Sequence, residues 1–309
     1  MANLASRLYP PCLRAYRRSL KRFGPIHAFC YALGNGLLSV VSPAIGFRTN
    51  SDDPLWWRLS LTTGSHEAAT RQTFAKIVRP GMTVVDVGAH IGYYTTQFAQ
   101  LVGASGRVIA FEPQPRNHDI LRHNVSGKSN VTLLEKAASD RDGTVSLFDD
   151  TPDTGGASLR RDSDRMNLHR SFTSAEDLAP RAWKGSPGGE IPVAAVRIDE
   201  TLASLGVHSV DIVKMDIEGA EMGALLGMEG VLANSARLDI VLELNPVALR
   251  PFGVEPARLC AWLTERGFRL SRIVDDGGLV ELVDEAAALD LIAELDSAES
   301  HANLLASRR

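Results

Sequence analysis

One stretch limits the fold more than any other: Val84-Val85-Asp86-Val87-Gly88-Ala89-His90-Ile91-Gly92-Tyr93-Tyr94-Thr95. A β-branched apolar run ends in an acidic residue, turns through two glycines, and enters an amphipathic segment. That pattern is a buried strand feeding a helix, and glycine lets such a turn adopt positive φ or approach a ligand closely. In open α/β sheets ligands gather at the carboxyl ends of the strands, so the turn marks a candidate site. Its Gly-x-x-x-Gly spacing is not the Gly-x-Gly-x-x-Gly of dinucleotide binders, and the full P-loop motif is absent. The turn suits a nucleoside without a pyrophosphate.

The chain repeats this grammar. Arg107–Phe111, Val131–Leu134, Val210–Met215 and Leu238–Leu244 read as further strands after Thr83–Val87. Helices are expected over Tyr93–Val102, Gln114–Val125, Ala220–Leu226 and Pro256–Arg266. Asp142-Gly143 precedes another strand, Thr144–Phe148, and Asp275-Asp276-Gly277-Gly278 joins Phe268–Ile273 to Leu279–Val283 as an antiparallel pair. Alternating strands and helices predict an α/β fold, a mostly parallel Rossmann-like sheet with helices on both faces. Val108-Ile109-Ala110-Phe111-Glu112-Pro113 then places an acidic residue about 20 positions beyond the glycine turn, where a carboxylate accepts ribose hydroxyls.

Three regions break the alternation. Residues 1–60 read as a basic, apolar helical cap: no Asp or Glu precedes Asp52, while Arg7, Arg14, Arg17, Arg18, Lys21, Arg22 and Arg48 are basic. Its apolar stretch, Ile26 to Phe47, is interrupted by Gly34-Asn35-Gly36 and Pro43. Those breaks fit neither the roughly 20 continuous apolar residues of a spanning helix nor a signal peptide. The cap either packs on the core or makes peripheral contact with an anionic membrane or a lipid-like substrate. Residues 149–190 are polar and rich in Gly, Pro, Ser, Arg and Asp, as a lid or a surface insertion would be. The Ala- and Leu-rich tail 285–309 reads as helix. Cys12, Cys30 and Cys260 form neither a zinc spacing nor a disulfide framework, so the expected compartment is cytoplasmic, with the inner membrane surface as the alternative. A net charge of −4 gives no reason to expect nucleic acid as a partner. A homo-oligomer is left open.

From about Phe74 to Leu244 the chain resembles the FkbM family of S-adenosylmethionine-dependent methyltransferases. The resemblance rests on the glycine-turn block, on Phe111-Glu112-Pro113, on Lys136-Ala137-Ala138-Ser139-Asp140, and on Val213-Lys214-Met215-Asp216-Ile217-Glu218-Gly219-Ala220-Glu221. Arg197-Ile198-Asp199 and Leu202 precede the last block, and the family usually has Asn where His90 stands. The resemblance implies a class I methyltransferase fold with seven strands over residues 61–284, S-adenosylmethionine as cofactor, and O-methylation of a sugar, glycolipid or polyketide-type hydroxyl. Position by position, it implies that the Asp86 to Gly92 turn, with Gly88, Ala89 and His90, holds the methionine portion, and that Tyr93, Thr95 and Asp216 also bind the cofactor. Glu112, with Pro113, takes the ribose hydroxyls, and Ala137 flanks the adenine. Lys214, Asp216 and Glu218 lie near the methyl donor.

An attacking alcohol must lose its proton, and a carboxylate or a neutral lysine within reach can take it. Asp216 is the first candidate, with Lys214 and Glu218 on the same side by period-two alternation. His66 is a second base that enters from the N-terminal side. Asp216, Glu243 and Asn245 end two successive strands and offer oxygen ligands, so a Mg²⁺-assisted transfer is an alternative. An acceptor nitrogen stays open beside the hydroxyl. Two other classes compete. A nicotinamide-dependent oxidoreductase expects Gly-x-Gly-x-x-Gly and Tyr-x-x-x-Lys, and neither is present. A non-catalytic, membrane-associated nucleotide fold would not need Asp86, Gly88, Gly92 and Glu112 intact.

Overall fold

The computed structural model describes residues 24–51, 53–149, 156–160 and 189–309. Its strands are, in chain order, β1 (Thr83–Val87), β2 (Arg107–Phe111), β3 (Val131–Leu134), β4 (Ala137–Ser139), β5 (Gly143–Asp149), β6 (Gly189–Arg197), β7 (Ile212–Met215), β8 (Leu238–Leu244), β9 (Arg269–Ile273), β10 (Leu279–Leu282) and β11 (Ala302–Arg308). Eight of them make one sheet, ordered β10-β9-β11-β8-β7-β1-β2-β3, and β4-β6-β5 make a second.

The central strands β3, β2, β1, β7 and β8 run parallel. Their register sets Val84 beside Val108 and Ile212, and Val85 beside Ile109 and Val213. Alternate side chains therefore feed opposite faces. Val84, Val108, Ile212 and Val241 pack with Phe74, Tyr94 and Phe98. Val85, Ile109, Val213 and Leu242 pack with Ile198, Leu225, Leu263 and Leu291. Both faces are covered, which is why these strands read as unbroken apolar runs.

The tail departs from expectation. Helix Glu285–Ser297 ends, and β11 then runs antiparallel between β8 and β9, pairing Ala302 with Leu244 through Arg308 with Leu238. Ala and Leu favour helix locally, but the last residues fill a slot between two strands that share no hydrogen bonds with each other; the tertiary partner overrides propensity. The central sheet has eight strands, with the expected β10 at its edge and the unexpected β11 inside it. The strand expected at Thr144–Phe148 forms as β5, but in the small second sheet.

Helix Gly24–Ile45 runs unbroken through Gly34-Asn35-Gly36. A Cβ at Gly34 would lie 2.7 Å from Leu55 Cδ2, and Asn35 Oδ1 accepts from Arg58 Nη1 at 2.9 Å. The apparent break is a notch in which helix Leu55–Thr63 seats. Residues 1–23, with Arg7 to Arg22 and Cys12 of the expected cap, lie outside the described residues, as do 150–155 and 161–188 of the expected insertion. No described helix is long and apolar enough to cross a membrane.

Candidate active site

The carboxyl ends of β1, β2, β7 and β8 border a cavity of about 370 Å³. At its base two turns touch. Gly88 has φ +80°, and a Cβ there would lie 2.1 Å from the Asp216 backbone oxygen. Gly92, at φ +86°, meets Leu121 instead, with a built Cβ only 2.8 Å from its Cδ1. Gly88 lines the cavity and Gly92 does not, so the second glycine, expected at the ligand, serves the packing of helix Pro115–Asn124.

Behind the wall lies a buried charged lattice. Thr95 Oγ1 donates to Asp86 Oδ2 at 2.6 Å. Lys214 Nζ donates to the Gly88 carbonyl at 2.8 Å and stands 3.9 Å from Asp86 Oδ1 and 3.6 Å from Asp216 Oδ2. Asp86 and Thr95 are fully buried and absent from the cavity lining, which corrects the expectation that both touch the ligand. Burial pulls the Lys214 pKa down, but Asp216 and Asp86 outweigh it and hold the ammonium above its ordinary range. Lys214 therefore stays charged. It fixes the strand ends rather than accepting a proton, contrary to its expected use as a neutral base. Removing it would leave a buried carboxylate without its counter-ion, a costly loss.

Glu112 is placed by its own turn. Its Oε1 accepts from the Gln114 amide at 3.0 Å and Asn117 Nδ2 at 3.1 Å, and its Oε2 accepts from the His90 amide at 2.7 Å. His90 takes φ +53° to make that bond. Burial raises the Glu112 pKa against the pull of those three donors. A carboxylate has about four acceptor positions, so one on Oε2 is left for a ligand. Gln114 is buried on the cavity wall with both side-chain amide atoms lacking a hydrogen-bond partner among the described residues. Of the other expected cofactor residues, Ala89, His90, Tyr93, Pro113 and Ala137 reach the wall.

On the open side, Asp216 lines the cavity with its side chain 34% exposed. Glu218, at φ +58°, also lines it, and its carbonyl accepts from Ser158 Oγ at 3.1 Å. His66 sits in the turn before helix Ala68–Ile77, edge-on to Trp57 and Tyr93 at 6.0 and 5.6 Å. Burial lowers its pKa, with Glu67 and Asp216 opposing, so the ring is neutral near pH 7. The magnesium alternative finds no support in its expected ligands. Asn245 spends its oxygen on the Ala248 amide at 3.2 Å, capping the next helix, and turns its nitrogen to Glu243 at 3.0 Å. Burial, then Asp216 and Glu218, push the Glu243 pKa well above its ordinary value. Among the described residues no group of three or more His, Cys, Asp or Glu is placed to hold a metal.

Several wall residues were not singled out by the sequence, four of them with telling contacts. Trp57 stacks on His90 at 5.2 Å and 26°. His301, just before β11, brings Nε2 to 3.7 Å from Glu243 Oε2. Ser158 bridges to Phe148 in the small sheet, and Gln114 follows Glu112 by two residues. Only Gln114 had a visible signal, its place directly after the Glu-Pro end of β2.

A parallel sheet, a glycine turn and a strand-end carboxylate facing one cavity define a nucleoside-binding α/β protein of the Rossmann-like class. Residues 86–270, more than half of the chain, match the methyltransferase FkbM domain, and the chain belongs to that family. It is an S-adenosylmethionine-dependent methyltransferase, which sets aside the oxidoreductase and non-catalytic readings. Among curated relatives, the 2-O-methyltransferase NoeI of Sinorhizobium fredii (strain NBRC 101917 / NGR234) is 28% identical over 60% of this chain and 81% of its own length. The 31-O-demethyl-FK506 methyltransferase FkbM of Streptomyces tacrolimicus is 30% identical over 49% of this chain and 61% of its own. The methyltransferase sdnD of Sordaria araneosa is 25% identical over 61% and 74%. The wall fits the cofactor: Gln114 offers an unpaired amide and Glu112 a free acceptor position. Glu67, Asp216 and Glu218 place carboxyl groups on the lining, beside Lys136 and Lys214.

Proposed function

We propose that the protein methylates a hydroxyl of a glycan, glycolipid or polyketide-type acceptor, with Asp216 taking the proton. One observation carries this reading: Asp216 is a cavity carboxylate left partly open to an acceptor, with the Lys214 ammonium 3.6 Å away. The oxygen chemistry is supported by two relatives, a 2-O-methyltransferase and a 31-O-demethyl-FK506 methyltransferase.

S-Adenosylmethionine, when bound, supplies a methyl group already activated by its sulfonium. What remains for the chain is arrangement, which can contribute roughly 7–11 kcal/mol at most. Glu112 and Gln114 grip the nucleoside end, through the acceptor positions their own turn leaves unused. Lys214, with Nζ 3.6 Å from Asp216 Oδ2, steadies that carboxylate at the cavity. Trp57, Leu61 and Leu159 give the opposite wall an apolar surface that displaces water from the acceptor. His66, neutral and on the same cavity, is the second proton acceptor.

The test is transfer of labelled methyl to an extract of the producing cells, with mass spectrometry of the product, for the wild type and Asp216→Asn. Expected are an oxygen-linked methyl and a fall in turnover of about 10²–10⁴-fold with S-adenosylhomocysteine affinity retained. Near-normal turnover removes Asp216 as the base, and a nitrogen-linked product overturns the hydroxyl.

A further inference from the structure

Helix Gly24–Ile45 has two faces of different fate. Leu38 is buried, and Gly34 and Asn35, on the same flank, meet Leu55 and Arg58 of the next helix. The opposite flank carries Phe29, Leu33, Leu37 and Val40 at helical spacings of four, four and three. These four side chains are 68, 63, 54 and 71% exposed. A contiguous apolar stripe of this length is uncommon on a free soluble surface and marks a contact face.

The chain itself says what kind of contact. Residues 1–51 hold no acidic side chain, and six basic ones, Arg7, Arg14, Arg17, Arg18, Lys21 and Arg22, crowd the sequence just before the helix. The protein as a whole is acidic, with a net charge of −4, so this end, free of carboxylates, is a positive segment on an acidic remainder. An apolar stripe adjoining a polybasic segment is complementary to an anionic bilayer: the stripe enters the interface, and the cations meet the headgroups.

We infer that this helix docks the enzyme on a negatively charged membrane surface, lying in the interface plane. The geometry gives the docking a consequence for the cavity. Helix Leu55–Thr63, clamped to the inner flank of the docking helix, carries Trp56, Trp57 and Leu61 into the cavity lining. The membrane-facing helix and the cavity wall are thus one packed unit, and an acceptor anchored in the same membrane is presented to that wall. The docking itself does not depend on which atom accepts the methyl.

Vesicle co-sedimentation of the full chain tests it, with phosphatidylcholine alone and with phosphatidylglycerol added, at low and high salt. The wild type is expected to pellet with the anionic vesicles, to stay free of the neutral ones, and to be released by salt. Phe29→Ser/Leu33→Ser/Val40→Ser should lower partitioning at least about tenfold while keeping S-adenosylhomocysteine binding, which shows the fold intact. Arg17→Gln/Arg18→Gln/Lys21→Gln/Arg22→Gln, with the stripe untouched, should weaken anionic binding and erase its salt dependence. Failure of the wild type to pellet with anionic vesicles overturns the docking, as does a stripe variant that binds like the wild type. Light scattering covers the other occupant: a wild-type dimer that the stripe variant converts to monomer makes the stripe an interface between two copies.

Discussion

The back and the front of the cavity are built differently. The back is a lattice of buried charge, Asp86, Lys214 and Glu112, set at strand ends inside the segment that matches the family, with the Thr95 hydroxyl of the next helix donating to Asp86. The front is aromatic and imidazole surface: Trp57 and His66 come from before that segment and His301 from after it. Buried charge needs every partner in place, because an unpaired ion in a low-dielectric interior is expensive. Such a lattice changes little without collapse. Aromatic surface tolerates exchange, so an enzyme can alter its acceptor there while the cofactor end stays fixed. The comparison makes distinct demands on stability, cofactor affinity and acceptor affinity.

The largest effect belongs to a residue behind the wall. Glu221 is buried, its Oε1 accepting from the Ile217 and Gly219 amides at 3.2 Å and holding the turn that follows Asp216. Burial pushes its pKa from 4.5 up to about 7, with the backbone donors opposing and Asp216 adding. The folded state therefore holds this proton after the unfolded chain has released it. Stability contributed by the neutral acid is full below pH 4.5 and declines as pH rises toward 7, by about 3 kcal/mol in all. Glu221→Gln removes that decline. Chemical denaturation between pH 4.5 and 8 should show the variant gaining on the wild type as pH rises. Parallel curves would mean that Glu221 is not held protonated.

Glu112 separates the back from the front by affinity. Glu112→Ala removes the acceptor of the His90 amide, the Gln114 amide and Asn117 Nδ2 as well as the ligand's. S-Adenosylhomocysteine binding should weaken by about 2 kcal/mol, roughly thirtyfold, in calorimetric titration. An unchanged Kd would refute the ribose assignment and leave Glu112 a turn-building residue.

How much of this was legible follows the same division. β1, β2, β3 and β8 stand where their apolar runs placed them, because a strand buried on both faces writes its own boundaries. Alternation also brought Lys214 and Asp216 together correctly, now 3.6 Å apart. Sequence could not tell a residue on the wall from one behind it. Asp86 and Gly92 share the motif with Gly88, yet only register and packing against Lys214 and Leu121 decide which of them reaches the cavity. Nor was β11 readable, since its identity comes from β8 and β9 rather than from its own Ala- and Leu-rich composition. With β11 hidden, His301 had no place to be predicted.

Trp57 is the sharpest test of the division, because it touches both sides. Its ring faces the cavity, yet it also stacks on His90, whose amide holds Glu112. If the front acts on the acceptor alone, Trp57→Ala removes one stacking surface and raises acceptor KM by about 1 kcal/mol, roughly fivefold. Cofactor Kd should then stay within about twofold, since the His90 backbone conformation is set by the turn and not by its ring. A comparable loss in both constants would mean that the ring stack positions the β1 turn. The aromatic front would then be part of the cofactor site, and the acceptor would have to be sought further out, toward His301 and Ser158.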